Sequence, residues 1–132
     1  MTRTDYDLLT AAQQARKNAY AGYSGFRVGA ALLTHDDTII TGCNVENASY
    51  GLAICAERTA IVRAVAMGHQ QFTSIAIVAD PLATPCGACR QFLVEFGESI
   101  RVLCANANDL DKFREWTIEE LIPNSFNQSY LP

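Results

Sequence analysis

The fold is decided by residues 74–105, which read SIAIVADPLATPCGACRQFLVEFGESIRVLCA. The apolar run over 74–79 has the length of a strand and is typical of a strand that is covered on both faces. A loop with two prolines follows, and then the pattern predicts a short helix over 87–96 and a further strand over 101–105. Strands and helices are therefore expected to alternate through this part of the chain.

The segments before this stretch add two helices and a hairpin. Apolar residues at helical spacing predict a helix over residues 5–20. Two strand patterns, at 27–34 and 38–43, flank a His-Asp-Asp turn and predict a pair of adjacent strands. An apolar stretch over 56–67 predicts a central helix that is buried around almost its whole circumference.

The last element is a short helix near the C-terminus, predicted from the capping-box pattern Thr-Ile-Glu-Glu at 117–120. The order of elements is α, β, β, α, β, α, β, α, which favours an α/β protein with a mixed sheet and helices on both faces. No repeat, linker or low-complexity tract divides the chain. One domain over residues 1–132 is therefore expected.

Composition excludes several classes of protein. The chain has 132 residues, 49% of them hydrophobic, and a formal net charge of −4. The apolar content argues against disorder, and the negative net charge argues against a basic face that would bind the phosphates of a nucleic acid. No apolar run approaches the ~20 residues of a membrane span, and Asp5 and Asp7 stand where a signal peptide would be cationic. We expect a cytoplasmic protein, whose five cysteines serve a metal or catalysis rather than disulfides.

Three cysteines have the spacing of a metal site. Cys86 and Cys89 form a C-x-x-C pair at the start of a predicted helix, and Cys55 directly precedes the central helix. A helix N-terminus lowers the pKa of a thiol, and thiolates are ligands that zinc prefers. With only three protein ligands, zinc keeps a position for water and lowers the pKa of that water to ~7. One catalytic Zn²⁺ per chain is therefore expected.

Charged residues beside the cysteines complete this prediction. Glu57 lies two residues beyond Cys55, which places a carboxylate next to the expected water, where it can accept a proton. Three thiolates around one Zn²⁺ leave a formal charge of −1. We expect the guanidinium groups of Arg58 and Arg90 to donate to the cysteine sulfurs and offset that charge.

The two metal segments, CNVENASYGLAICAERTAI (43–61) and PCGACRQ (85–91), together resemble the small homotetrameric cytidine deaminases. The similarity extends to YSGFRVGAAL (23–32) and TIEELIPNSF (117–126). The resemblance implies a three-layer α-β-α sandwich around a mixed five-stranded sheet. Since the sequence patterns indicate only four strands, a fifth short strand is expected around residues 113–117.

The resemblance also implies roles for individual residues. Cys55, Cys86 and Cys89 match the zinc ligands of that family, and Glu57 matches its proton shuttle. The substrate residues are an aromatic lining the pocket, two residues on the ribose 3′-hydroxyl, a backbone donor to the pyrimidine 2-oxo group and an aromatic from a neighbouring subunit: Phe26, Asn44 and Glu46, Ala56, and Phe126. A homotetramer whose sites are completed by neighbouring subunits is therefore expected.

The implied function is hydrolytic deamination of cytidine and 2′-deoxycytidine to uridine and 2′-deoxyuridine, with release of ammonia, in pyrimidine salvage. Glu57 is expected to move a proton from water to ring N3 and a second one to the leaving amino group. A buried Glu46 would favour nucleosides over free bases, because its carboxylate needs a hydroxyl donor. Three alternatives stay open: deamination of another aminopyrimidine nucleoside such as an antibiotic, deamination of RNA or DNA, and a structural zinc module with four protein ligands.

Overall fold

A five-stranded sheet forms the centre of the molecule, which a computed structural model describes over residues 1–132. The strands lie side by side in the order β2-β1-β3-β4-β5. Their bounds are β1 Val28–Thr34, β2 Ile39–Cys43, β3 Phe72–Ala79, β4 Arg101–Asn106 and β5 Asp109–Thr117. The fifth strand of the resemblance is therefore present.

Four helices cover the sheet, and two single 3₁₀ turns lie at Tyr50–Leu52 and Gln128–Tyr130. The helices are α1 Arg3–Arg16, α2 Ala56–Ala66, α3 Gly87–Phe96 and α4 Ile118–Leu121. Both hydrogen bonds of the predicted capping box are formed at the start of α4. None of the helices combines the length and the apolar character that crossing a membrane would require.

The pairing of the strands makes the sheet mixed. β1 and β2 form the predicted antiparallel hairpin, with Leu32 opposite Ile40. β3 and β4 run parallel, because α3 carries the chain back across the sheet between them. β1 pairs antiparallel with β3, and β5 pairs antiparallel with β4. The expected mixed five-stranded sheet is confirmed.

The two faces of the sheet carry separate apolar cores, as a three-layer sandwich requires. On one face, α1 packs against alternate sheet residues; this core includes Leu8, Leu9, Ala12, Ala31, Val78 and Leu103. On the other face lie α2, α3 and α4; this core includes Leu32, Ala60, Ile61, Ile75, Leu93 and Ile118. Because β3 contributes to both cores, its continuous apolar run is explained.

Three details differ from the predictions. The first helix ends at Arg16, and Lys17 donates its N–H to the carbonyl of Gln14, a tighter bond that closes the last turn. The fifth strand begins at Asp109, well before the expected residues 113–117. Its exposed, charged sequence lacks the apolar run that marked the other strands. The central helix is not buried all round, since Val62 and Val65 are exposed in the single chain.

Candidate active site

Three cysteine sulfurs lie together where α2 and α3 begin. Cys55 is the residue directly before α2, Cys86 is the residue directly before α3, and Cys89 belongs to the first turn of α3. The Sγ atom of Cys86 lies 3.8 Å from that of Cys55 and 3.6 Å from that of Cys89. All three sulfurs lie within 4.8 Å of one another. The fold therefore collects thiols that are 31 residues apart in sequence.

The spacing of these sulfurs fits a zinc ion. Tetrahedral zinc with Zn–S bonds of about 2.3 Å places its sulfur ligands about 3.8 Å apart. The separations of 3.8 Å and 3.6 Å agree with that geometry. No further Cys, His, Asp or Glu joins the group. Three protein ligands are the number found in catalytic zinc sites, whereas a structural site has four.

Arg58 supports the negative charge at this site. Its Nη2 atom lies 3.6 Å from Cys55 Sγ, close enough to donate a hydrogen bond to sulfur. The neighbouring Cys89 thiol and the Arg58 guanidinium lower the pKa of the Cys55 thiol to about 5. The thiolate in turn raises the pKa of the Arg58 guanidinium. The expected contact between Arg58 and a sulfur is therefore present in the structure.

Arg90 does not make the sulfur contact expected of it. Its Nε donates to the carbonyl of Pro85 at 2.7 Å, and its Nη1 donates to the carbonyl of Leu121 at 2.7 Å. Its Nη2 donates to the Thr84 hydroxyl at 3.2 Å. All three nitrogens are occupied, because α3 points this side chain towards the loop before it and the end of α4. Arg90 therefore ties the segment that leads to Cys86 in place.

Glu57 is a buried carboxyl group beside the sulfurs. It is the second residue of α2 and is only 4% exposed. Burial raises the pKa of Glu57, with the charge of the Cys55 thiolate adding to the shift. A carboxyl whose pKa is raised can take up a proton and return it near neutral pH. Ala56, fully buried, precedes it, and its N–H is one of the helix-start donors that have no acceptor within the helix.

Asn44 and Glu46 are held close to the cysteines by backbone pairing. The residue between them, Val45, exchanges hydrogen bonds with Ile54 at 3.0 and 2.9 Å. On the other side, Tyr20 accepts from the N–H of Glu46 and donates to the carbonyl of Asn44. Since Ile54 directly precedes Cys55, an isolated β-bridge joins the expected ribose residues to the segment that carries one of the three cysteines.

The carboxylate of Glu46 is not buried, contrary to the expectation. Glu46 is half-buried, and it already accepts hydrogen bonds from the backbone N–H groups of Tyr23 at 3.0 Å and Ser24 at 3.1 Å. The Ser24 hydroxyl also donates to it. These bonds, above all those from Ser24, lower the pKa of Glu46. The single chain leaves this part of the site open to solvent.

The two aromatic candidates, Phe26 and Phe126, differ in the residues that they contact. Phe26 is 39% exposed, and its carbonyl accepts from the side-chain amide of Asn44 at 2.8 Å. Phe126 is 60% exposed and stacks on Tyr130, with ring centroids 5.4 Å apart. Its carbonyl accepts from Gln91 on α3 at 2.8 Å. The structure therefore joins Phe26 to Asn44 and presents Phe126 on the surface.

An open cavity of about 310 Å³ adjoins Glu46. Tyr23 and Tyr50 line it and contact each other edge to face, with centroids 6.0 Å apart. Tyr50 is 77% exposed. The remaining lining residues are Ser24, Glu46, Asn47 and Ala53. A cavity of this size accommodates a small organic molecule.

Sequence reasoning predicts a loop over residues 21–25 but missed the contacts that Tyr23 and Ser24 make with Glu46. These residues touch Glu46, yet nothing in their spacing indicates a metal or an acid–base pair. The available signal was Gly25 within YSGFRVGAAL (23–32), a glycine that in the structure forms a tight turn with a φ of 74°. Loops held by a rigid scaffold often carry binding residues.

Comparisons with known proteins agree with this geometry. The family model described as "Cytidine and deoxycytidylate deaminase zinc-binding region" matches residues 2–105. A probable cytidine deaminase of Dictyostelium discoideum is 48% identical over 126 residues, which cover 93% of this chain and 84% of that protein. The crystal structure of cytidine deaminase from Burkholderia pseudomallei has a TM-score of 0.87 and 45% identity, covering 96% of this chain and 100% of that one.

A cytidine deaminase structure from Mycobacterium tuberculosis is also similar. It has a TM-score of 0.80 and 37% identity, covering 92% of this chain and 95% of that one. The family match over residues 2–105 contains all three clustered cysteines and Glu57.

Proposed function

The chain belongs to the cytidine and deoxycytidylate deaminase family, and from that membership we propose that it hydrolyses cytidine and 2′-deoxycytidine to uridine and 2′-deoxyuridine. Ammonia is the second product, and the reaction serves pyrimidine salvage. The observation that carries the proposal is the group of three thiols beside the buried carboxyl of Glu57. We propose that residues 1–132 act as one catalytic domain, which a single sheet supports.

Zinc is the cofactor, and Cys55, Cys86 and Cys89 would hold it. When bound, zinc supplies a Lewis acid that makes water acidic enough to act as a nucleophile at neutral pH. Arg58 offsets the excess negative charge through its contact with Cys55. Arg90 acts at a distance by fixing the loop that leads to Cys86.

Glu57 carries the proton transfers. It takes a proton from the attacking water and gives it to ring N3, which makes C4 of the pyrimidine more electrophilic. Once the water oxygen has bonded to C4, Glu57 takes the remaining proton from that oxygen and delivers it to the amino group. The C4–N bond then breaks, ammonia leaves, and the oxygen stays as the 4-oxo group. Burial raises the pKa of Glu57, which makes its carboxylate a stronger proton acceptor than an exposed glutamate.

The remaining site residues orient the nucleoside. Asn44 and Glu46 bind the ribose 3′-hydroxyl, Phe26 packs against the nucleoside, and the N–H of Ala56 donates to the 2-oxo group. In a polynucleotide the 3′-hydroxyl is esterified, so a polynucleotide is excluded. The net charge of −4 also argues against a basic surface for its phosphates. A 2′-deoxynucleoside keeps the 3′-hydroxyl and is accepted.

We propose that four copies assemble and that Phe126 reaches a neighbour's site. The support is the exposure of Phe126, Val62 and Val65, which a single chain leaves against water. A cytoplasmic location accords with five cysteines that are all free.

A single assay tests the proposed activity. Zinc-loaded protein is incubated with cytidine, 2′-deoxycytidine, cytosine, CMP, an aminopyrimidine nucleoside antibiotic and a short cytosine-containing oligonucleotide, while ultraviolet absorbance follows the loss of the amino group. Turnover of the first two substrates alone is the expected result. Turnover of only the antibiotic, or of the oligonucleotide, would assign the chain to another branch of deaminases. No turnover with any substrate, together with a fourth protein ligand on the metal, would establish the structural zinc module instead.

A further inference from the structure

The carboxylate of Glu46 has three of its acceptor positions occupied within the chain. Its Oε1 atom accepts from the backbone N–H groups of Tyr23 and Ser24, at 3.0 and 3.1 Å. Its Oε2 atom accepts from the Ser24 hydroxyl. A carboxylate offers about four lone pairs, two on each oxygen. One acceptor position therefore remains free, and it is on Oε2.

The Ser24 hydroxyl has a fixed direction. Its oxygen accepts from the N–H of Phe26 at 3.0 Å, so its own proton is left to donate to Glu46. The hydrogen bonds from Ser24 also lower the pKa of Glu46, which leaves the carboxyl ionised and able only to accept. One serine thus sets the orientation of Oε2 and anchors the backbone of Phe26.

Asn44 holds the same peptide segment from its other side. Its Nδ2 donates to the carbonyl of Phe26 at 2.8 Å, and its Oδ1 accepts from the N–H of Val28 at 2.9 Å. Phe26 is therefore clamped between Ser24 and Asn44. Both expected ribose residues connect to the aromatic residue expected against the nucleoside, one directly and one through Ser24.

We propose that Ser24 is a positioning residue for sugar recognition, which directs the free acceptor of Glu46 Oε2 at the nucleoside 3′-hydroxyl and sets Phe26 beside it. This inference rests on the proposed function, because it takes the ligand to be a pyrimidine nucleoside. Ser24 itself does not touch the reacting atoms. Its loss should weaken recognition of the 3′-hydroxyl while the metal ligands and Glu57 stay in place.

The test uses direct binding, so it does not depend on turnover. Zinc-loaded wild-type protein and the S24A variant are titrated by calorimetry with uridine and with 3′-deoxyuridine. The two ligands differ only in the 3′-hydroxyl, which would donate a hydrogen bond to Glu46. We expect S24A to raise the Kd of uridine about tenfold, the size of one lost hydrogen bond to a charged group. The Kd of 3′-deoxyuridine should rise less than twofold. The S24T variant, which keeps a hydroxyl, should recover most of the affinity for uridine.

Ser49→Ala is the matched control, because Ser49 is an exposed serine whose side chain does not cap the 3₁₀ turn that follows it. It should leave both Kd values unchanged. Equal weakening of both ligands by S24A would show a merely structural role and overturn the inference, as would no change in either. Absence of cytidine turnover by the wild type would instead count against the proposed function, since the binding comparison does not require it.

Discussion

Glu57 combines two properties that are usually in conflict, burial and a charge-bearing group. It is only 4% exposed, and this burial raises its pKa. No salt bridge stabilises its charged form. Such an arrangement costs folding free energy and is retained where proton transfer requires it. Beside it, the Cys89 thiol and the Arg58 guanidinium lower the pKa of Cys55, which favours the thiolate at the start of α2.

The variant Glu57→Gln should lose activity about 10⁴-fold, the upper end for general acid–base catalysis, because in the proposed mechanism one carboxyl makes several proton transfers. Its zinc content should equal that of the wild type, since Glu57 is outside the group of sulfur ligands. Initial rates with cytidine and elemental analysis of the same preparation check both points. Activity within tenfold of the wild type would remove Glu57 from the role of proton shuttle.

The variant Arg58→Ala should bind zinc about tenfold more weakly, because the hydrogen bond to Cys55 Sγ at 3.6 Å is lost. Arg63→Ala is the control, since this arginine also lies on α2 and its guanidinium contacts the carbonyl and hydroxyl of Thr41 rather than sulfur. That variant should lower the free energy of unfolding by about 1 kcal/mol and leave zinc affinity unchanged. Chelator competition and chemical denaturation measure the two quantities, and equal zinc affinity in both variants would contradict the role of Arg58.

At this scale, the group of three sulfurs was predictable, since spacing places Cys86 and Cys89 in one helical turn and the resemblance adds Cys55 to them. The role of Glu57 stays a prediction. The sequence did not predict the partners of Arg90, because both carbonyls it reaches depend on how a loop and α4 pack. It also placed Glu46 in the interior, whereas the side chain lies half-buried under a loop. Contacts made by long side chains depend on tertiary structure that local pattern does not contain.

Among the elements, α2 lies unusually close to the sheet at Gly42. A Cβ atom at that position would lie 2.5 Å from the backbone nitrogen of Ala60 and 2.6 Å from the carbonyl oxygen of Ala56. Only glycine permits this approach. The start of α2, which carries Cys55 and Glu57, is therefore placed by a missing side chain on β2.

The variant Gly42→Ala should push α2 outward, destabilise the fold by about 1–3 kcal/mol or more, and weaken zinc binding. Gly29→Ala is a matched control, because its Cβ would meet the backbone of α1, 2.6 Å from the nitrogen of Arg16, and α1 carries no predicted site residue. It should destabilise the fold without a change in zinc affinity. Zinc titration of the folded fraction separates the two, and identical zinc affinities would show that α2 placement does not matter.

An ion network joins α1 to the strands at the far side of the sheet. Arg101 on β4 donates to Asp5 at 3.1 and 3.2 Å and to Glu115 on β5 at 2.8 and 2.9 Å. The hydrogen bonds from Arg101 lower the pKa of Asp5 below its ordinary value of 3.8 and that of Glu115 below 4.5. Each carboxyl thus stabilises the folded state when ionised.

This network predicts a pH-dependent stability. Since the folded-state pKa values are lowered, its contribution is present above about pH 5 and is lost as the pH falls through those values, below pH 4. At pH 7, Asp5→Asn should cost about 1–2 kcal/mol, a modest amount because Arg101 is partly exposed. The difference from wild type should shrink towards pH 3. Urea denaturation at several pH values measures it, and a constant difference would contradict the assignment.

At the scale of the whole molecule, the assembly prediction can be measured directly. Light scattering should give a mass of four chains of 14.4 kDa each. The variant Phe126→Ala should keep zinc but lose activity, because the aromatic would be missing from a neighbour's site. A monomer with full activity would overturn the shared site.

The alternation of strands and helices was predictable, because β1, β3 and β4 are apolar runs. The five-stranded sheet was implied by the resemblance that the cysteine segments carry. The length of β5 was not predictable, since an exposed edge strand needs no apolar run. The exposure of Val62 and Val65 on α2 was also not predicted. A helix that reads as apolar all round can be covered by its own chain or by another, and sequence does not distinguish the two.

The edge strand β5 has a consequence for how copies of the chain can meet. It displays Asp111, Lys112 and Arg114 along its exposed length. If a second chain added a strand at this edge, it would have to pair against charged side chains of both signs. Such charges oppose edge-to-edge extension of a sheet. This edge therefore disfavours pairing with a second copy, which accords with the proposal that copies of the chain meet through other surfaces, such as the exposed Val62 and Val65 of α2.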